Sequence, residues 1–204
     1  MPTVFVNPER CIGCLQCEFA CATEHSRSRE QALAPFELPV PRKRIHVEAG
    51  FRPGSSFPNK CRHCDPAPCQ LVCPTGAIRR DADHDLVLID ESRCIACAMC
   101  AMVCPFDVIT YYPLAGGSRE GAVAVKCDGC IERLQAGRIP ACAEACKVGA
   151  LEFGELNEIV AGGRKRQAAV VLAATTAEPI QSMPGTIAAW RDLGAATANA
   201  GGSR

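Results

Sequence analysis

Sixteen cysteines fall into four groups of four, and every group opens C-x₂-C and closes C-x₃-C. The groups are Cys11, Cys14, Cys17, Cys21; Cys61, Cys64, Cys69, Cys73; Cys94, Cys97, Cys100, Cys104; and Cys127, Cys130, Cys142, Cys146. Only the middle gap varies: two residues in the first and third groups, four in the second, eleven in the fourth. No cysteine is left over. Sixteen in 204 residues is a density found in disulfide scaffolds or metal proteins. A disulfide scaffold is normally short and secreted, whereas Met1–Arg10 shows no charged segment followed by an apolar run. The longest apolar run, Ala168–Ala174, is far too short to span a membrane. The expectation is a cytoplasmic chain with reduced thiols, no membrane span, and metal in place of disulfides. At 5 % aromatic residues the chain has little for an ordinary core, so metal–thiolate bonds must supply much of the folding free energy.

The third group, Cys94-Ile-Ala-Cys97-Ala-Met-Cys100-Ala-Met-Val-Cys104-Pro105, reads C-x₂-C-x₂-C-x₃-C-P. That run supplies three thiolates to one iron–sulfur cluster and the fourth to another. Three cysteines at intervals of three sit on a wrapping loop whose sulfurs can meet three corners of a cube. The fourth follows on a helical turn and points away, and Pro105 stops the turn for want of an N–H. Zinc needs only four tetrahedral ligands from two C-x₂-C knuckles. A zinc-bearing module is the alternative, and a brown chromophore bleached by dithionite would exclude it.

The repeat extends beyond sulfur. A basic residue precedes each group: Arg10, Lys60, Arg93 and Lys126. A cation there offsets the negative charge of a four-thiolate cube and raises its potential; the plainer reading is a solvated side chain at a strand end. Cys73-Pro-Thr-Gly-Ala-Ile78 and Cys146-Lys-Val-Gly-Ala-Leu151 both read as a turn through glycine into a strand. Strands are expected over 3–6, 44–48, 86–90, 108–112, 122–125 and 150–153, by β-branched and aromatic content. Helical turns are expected over 15–24, 128–135 and 141–146, and Phe51–Pro58 reads as a loop. With 22 basic and 22 acidic residues the net charge is zero, which favours a fixed subunit over a charge-steered shuttle and argues against nucleic acid. Arg42–Arg44 and Arg164–Arg166 read as solvated charge.

The order of the groups, with Cys61-Arg-His-Cys64-Asp-Pro-Ala-Pro-Cys69 in second place, resembles the four-cluster ferredoxin-like electron-transfer subunits. These accompany dimethyl-sulfoxide reductases, formate dehydrogenases, hydrogenases, carbon-monoxide dehydrogenases and tungsten aldehyde oxidoreductases. The resemblance covers about residues 1–155, and the opening run Cys11–His25 looks most like the branch serving carbon-monoxide dehydrogenases and tungsten aldehyde oxidoreductases. It implies an α+β fold of two nested dicluster-ferredoxin-like modules, with short strands and helices around four [4Fe–4S] clusters. Residues 1–48 and 114–155 would form the outer module, 49–113 the inserted one, and 156–204 a partly helical tail for docking. By the same resemblance Cys11, Cys14, Cys17 and Cys146 hold one cluster, and Cys127, Cys130, Cys142 and Cys21 its pair-mate. Cys61, Cys64, Cys69 and Cys104 hold a third; Cys94, Cys97, Cys100 and Cys73 hold the fourth. The chain departs from the pattern at Ala22 and Lys147, which stand where Pro74 and Pro105 follow their cysteines, so a looser turn is expected there.

The implied function is non-catalytic: single electrons pass through the clusters between a catalytic oxidoreductase subunit, first a tungsten aldehyde oxidoreductase, and another redox partner. A carbon-monoxide dehydrogenase, hydrogenase or formate dehydrogenase is the next choice; a flavin subunit, further copies of the chain, or free service as a soluble polyferredoxin complete the alternatives. The sequence shows no Ser–His–Asp or Cys–His nucleophile set and no phosphate-cradling glycine loop. His63, inside the second group, reads as structural, with a bond to sulfur or coupling of a proton to reduction as its functional alternatives; Tyr111 and Tyr112 read as packing, Met99 and Met102 as shields against water. In the tail, 156–160 and 164–174 are helix-prone, and Ile187, Trp190 and Leu193 share a helical face suited to anchoring a partner.

Overall fold

The computed structural model describes residues 2–51, 54–113 and 121–176. Its strands are β1 (Pro2–Val6), β2 (Ile45–Ala49), β3 (Ser56–Lys60), β4 (Ile78–Asp81), β5 (Leu86–Ile89), β6 (Thr110–Pro113), β7 (Ala122–Val125) and β8 (Leu151–Glu155). They pair as four separate antiparallel ribbons: β1 with β8, β2 with β3, β4 with β5, and β6 with β7. No ribbon extends into a larger sheet among the described residues, so hydrogen-bonded ladders alone cannot hold the chain together. The first ribbon joins the two ends of the cysteine-bearing region, with Val4 opposite Phe153 and Val6 opposite Leu151.

The helices are α1 (Gln16–Glu24), α2 (Pro68–Leu71), α3 (Met99–Met102), α4 (Ile131–Gln135), α5 (Ala141–Ala145) and α6 (Leu156–Thr176). The C-x₃-C half of every group falls on a helical turn: α1 carries Cys17 and Cys21, while α2, α3 and α5 carry Cys69, Cys100 and Cys142. In the second and third groups the helix ends ahead of Cys73-Pro74 and Cys104-Pro105, as expected of a residue biased away from helix by the proline after it. Ala22 keeps its N–H, and α1 runs on to Glu24. In the fourth group Lys147 changes nothing: Gly149 (φ +64°) makes the turn that Gly76 (φ +59°) makes after Pro74. Asp107 (φ +50°) makes it in the third group without a glycine.

Two sets of buried side chains form the interior. Cys17, Cys21, Ile45, Cys142 and Leu151 pack together with Val4, Val6, Val47 and Cys146. Ala67, Ile78, Val87, Cys100, Ile109 and Ala124 form the other set, with Cys69, Cys73, Cys94 and Cys104 against it. Sulfur thus stands where larger apolar side chains would fill an ordinary core.

The sequence expectations are met for most elements, with four differences. Ser56–Pro58, read as loop, belongs to β3, where Pro58 lies opposite Val47 and is fully buried. A two-stranded ribbon has two open edges, so a proline without an N–H is tolerated. The strand expected from Val108 begins at Thr110, since Val108 and Ile109 are buried before it. Asp128–Cys130 stays outside α4 because those residues form a cysteine knuckle. The two helix-prone tail segments are one helix, α6. Trp190 and its neighbours lie outside the described residues. The chain divides into two compact units, Met1–Ile159 and Val160–Arg204, and every cysteine belongs to the first. Among the described residues, no helix is long and apolar enough to cross a membrane.

Candidate functional site

The third residue of each opening C-x₂-C adopts the left-handed conformation: Gly13 at φ +68°, His63 at +50°, Ala96 at +57° and Gly129 at +70°. For alanine or histidine this conformation costs about 1–2 kcal/mol, so the four knuckles share a demand stronger than local preference. Left-handed residues in a tight loop turn successive N–H groups inward, forming concavities that suit anions, iron–sulfur clusters among them. Two of these N–H groups reach sulfur at 3.4 Å: His63 donates to Cys61 Sγ and Gly129 to Cys127 Sγ. Further donors are the N–H groups of Arg44 to Cys21 Sγ (3.2 Å), Ala124 to Cys94 Sγ (3.4 Å) and Leu151 to Cys146 Sγ (3.4 Å). The Tyr111 hydroxyl lies 3.3 Å from Cys100 Sγ, so this tyrosine does more than pack.

The sulfurs gather in sets that cross the cysteine groups. Cys21 of the first group lines one cavity together with Cys127, Cys130 and Cys142 of the fourth. Cys104 of the third group lines another with Cys61, Cys64 and Cys69 of the second. Cys17 lies within the electrostatic reach of Cys146 and Cys11, and Cys73 packs against the same core as Cys94 and Cys100. Cys14 and Cys97 stand exposed at the surface.

These sulfurs fit a metal–sulfur group. All sixteen are free of disulfides, and thiolate is the ligating form. Burial pushes the Cys130 thiol up to about 12 and the Cys17 thiol up to about 11. Burial also raises Cys21 and Cys142, and each is raised further by Cys127 and Cys130. Thiols held this close repel one another once ionised, and bound cations relieve both the repulsion and the burial penalty. The cavities also hold an unsatisfied donor. Nδ1 of His63 accepts the N–H of Val87 at 3.0 Å, which leaves the ring proton on Nε2. Nε2 is buried without a partner, on a ring that lines both cavities. Burial, with Lys126 and Lys60, lowers His63 to about 3.

A polar network braces the wall of the first cavity. His25 Nδ1 lies 2.7 Å from the carbonyl oxygen of Cys21, and Nε2 lies 3.2 Å from both carboxylate oxygens of Asp128. Arg44 donates to Asp128 at 2.7 Å, and Asp128 accepts the Cys130 N–H at 2.9 Å. Burial favours the protonated Asp128 carboxyl, but His25 and Arg44 outweigh it and hold the group well below the usual carboxylate range. Sequence reasoning passes over Asp128; its position within Cys127-Asp-Gly-Cys130 is the one local signal.

The four basic residues divide in two. Arg10 is partly exposed and pairs with Glu152 at 2.7 Å, and Arg93, also exposed, donates to the Thr75 carbonyl at 2.8 Å. For these the plainer surface reading holds. Lys60 and Lys126 are buried, at 3 % and 4 % exposure. Lys60 lines the cavity of Cys21, Cys127, Cys130 and Cys142; Lys126 lines the cavity of Cys61, Cys64, Cys69 and Cys104.

The 4Fe-4S dicluster domain matches residues 54–156. An iron–sulfur protein of Rhodospirillum rubrum is 37 % identical over 163 residues, covering 76 % of this chain and 82 % of that one. The thiosulfate reductase electron transfer subunit of Salmonella typhi is 38 % identical over 153 residues, covering 74 % of each chain. A tetrathionate reductase subunit of Salmonella typhimurium is 32 % identical over 156 residues, covering 76 % of this chain and 58 % of its own.

Proposed function

This chain belongs to the 4Fe-4S dicluster family of electron-transfer iron–sulfur proteins, and we propose that it relays single electrons through four [4Fe–4S] clusters between a catalytic oxidoreductase subunit and a second redox partner. The observation that carries the reading is the pair of cavities, each lined by three sulfurs of one cysteine group and one of another. That crossing supports the nested layout, with Cys127, Cys130, Cys142 and Cys21 as one ligand set and Cys61, Cys64, Cys69 and Cys104 as its neighbour. Cys11, Cys14, Cys17 and Cys146 form a third set, and Cys94, Cys97, Cys100 and Cys73 the fourth. The β1–β8 ribbon and the packing of Cys17, Cys21, Ile45, Cys142 and Leu151 favour an outer module built from both ends of residues 1–155. Ala124 of β7 packs with Ile78, Val87 and Ile109, which supports counting β7 together with the inserted module of residues 49–113.

A bound [4Fe–4S] cluster accepts or releases one electron with little change in shape. The chain does the rest. Its N–H groups on Cys21, Cys61, Cys94, Cys127 and Cys146 favour the more negative, reduced form. Buried side chains around the sulfurs exclude water, and Asp128 with His25 and Arg44 holds the Cys127–Cys130 knuckle in place. The sixteen reduced thiols suit the cytoplasm.

For the partner, the names of the relatives favour the catalytic subunit of a reductase, while the Cys11–His25 run resembles the branch serving carbon-monoxide dehydrogenases and tungsten aldehyde oxidoreductases. Proteins that co-purify from the native source decide between them; a chain that purifies alone and serves several enzymes is instead a free polyferredoxin. Anaerobically prepared protein should hold about sixteen iron and sixteen labile sulfide per chain, four of each per cluster. It should reduce dyes but turn over no substrate. About four of each per chain would sink the proposal.

A further inference from the structure

Two buried lysines are exchanged between the cysteine groups. Lys60 leads into the second group, yet its side chain lines the cavity formed by Cys127, Cys130, Cys142 and Cys21. Lys126 leads into the fourth group, yet it lines the cavity of Cys61, Cys64, Cys69 and Cys104. Neither ammonium has a carboxylate partner among the described residues. Their hydrogen bonds go to main-chain carbonyls: Lys60 to Cys61 at 3.0 Å, Lys126 to Cys127 at 3.2 Å and also to Val87. An ammonium buried without a counter-charge carries a large desolvation cost, so an anion must stand opposite each one. Each cavity offers four sulfurs and, with iron–sulfide bound, a net negative charge. The electrostatics run the same way. Burial raises the Cys127 thiol and Lys60 is the strongest effect opposing it; burial raises Cys69 and Lys126 opposes it most. His63 completes the arrangement: with Arg62 it lines both cavities.

We propose that Lys60 and Lys126 are reciprocal tuning residues, each raising the potential of the cluster held mainly by the other lysine's cysteine group, and that their shared wall at His63 is where an electron crosses between the two modules. The inference rests on the four-cluster reading above. An exchange at this wall moves one electron, oxidising one cluster and reducing its neighbour, and moves no proton. Arg62 lines both cavities and so bears on both clusters, whereas each lysine lines only one. Arg10 and Arg93, which lead the other two groups, are exposed.

The test is a potentiometric titration of the full anaerobic chain, followed by electron paramagnetic resonance. Cys142→Ser and Cys64→Ser mark which spectral component belongs to which cavity, by perturbing or removing it. Lys60→Met should lower the midpoint of the Cys142-marked component by about 59 mV, a tenfold loss in its one-electron reduction equilibrium. Lys126→Met should do the same to the Cys64-marked component, and Lys60→Arg and Lys126→Arg should stay near wild type. A shift in the lysine's own group, or no shift, overturns the proposal. So does an arginine variant that shifts like methionine, or a Lys60→Met chain that loses iron while the arginine variant does too, since that marks a structural role. Wild-type protein with far fewer than about sixteen irons defeats the four-cluster reading instead, which the iron assay detects before any titration.

Discussion

The main-chain N–H of Val87 in β5 donates to Nδ1 of His63 at 3.0 Å. The bond holds the ring against the strand and leaves Nε2 buried without a partner. Replacing His63 with alanine strands the Val87 donor in a buried site, a loss of about 1–3 kcal/mol. The expected outcome is faster bleaching of the visible absorption under an iron chelator. His63→Asn should restore part of the wild-type rate, because asparagine tolerates φ +50° and its amide oxygen can accept the same N–H.

Gly129 is held by space as well as by conformation. A Cβ there would lie 2.7 Å from Leu86 Cδ1 and 2.8 Å from Cδ2, at a φ of +70°. Gly129→Ala should therefore cost about 1–2 kcal/mol in backbone strain and about 1–3 kcal/mol in overpacking. Thermal loss of the iron–sulfur absorption should shift to lower temperature. Adding Leu86→Ala should relieve the overpacking part only, so the double variant departs from additivity.

Arg133 is the buried cation that ties three helices together. Its Nε donates to the Ile139 carbonyl at 2.7 Å, and the guanidinium pairs with Glu24 of α1 at 2.8 Å and with Glu144 of α5. Arg133→Met leaves Glu24 unpaired in a site only 14 % exposed, and a loss of about 3 kcal/mol is expected. Glu24→Gln should destabilise more than Glu144→Gln, whose carboxylate is largely solvated. Thermal midpoints of the three variants, measured by visible absorption, check the order.

Glu37 gives the excursion between α1 and β2 an acid limit. Its carboxylate accepts the N–H groups of Ser28 at 2.7 Å and Arg27 at 2.9 Å. Ser28, through side chain and main chain, and then Arg27 hold its pKa below the ordinary 4.5. The folded value is the lower one, so this contact contributes its full stability above the unfolded value and loses it as pH falls through the folded value. Limited proteolysis within residues 27–40 should accelerate as pH drops below about 4.5. Glu37→Gln should remove that step and cut at one rate throughout.

Cysteine spacing made the metal chemistry, the helical C-x₃-C turns and most strands legible, because each depends on residues close in sequence. What it hid depends on distance. Ser56–Pro58 looked like loop because Pro53 and Gly54 precede it and Pro58 ends it, and only pairing with Ile45–Ala49 makes it a strand. Arg10, Lys60, Arg93 and Lys126 occupy equivalent places in the repeat, yet two are buried and two are not; packing across the groups decides that. Asp128 could be seen beside its cysteine, but its partners His25 and Arg44 come from far earlier in the chain. The left-handed third knuckle residue was visible as glycine at 13 and 129 and concealed as histidine at 63 and alanine at 96.

The ribbon between Pro2–Val6 and Leu151–Glu155 has a consequence for biosynthesis. A nascent chain exposes its first strand long before the ribosome has made the partner that covers it, and closing so long a loop carries its entropy cost late. The hairpin of Ile78–Asp81 with Leu86–Ile89 needs no such wait. Assembly therefore proceeds from the middle outward, and Pro2–Val6 is among the last segments to be sealed.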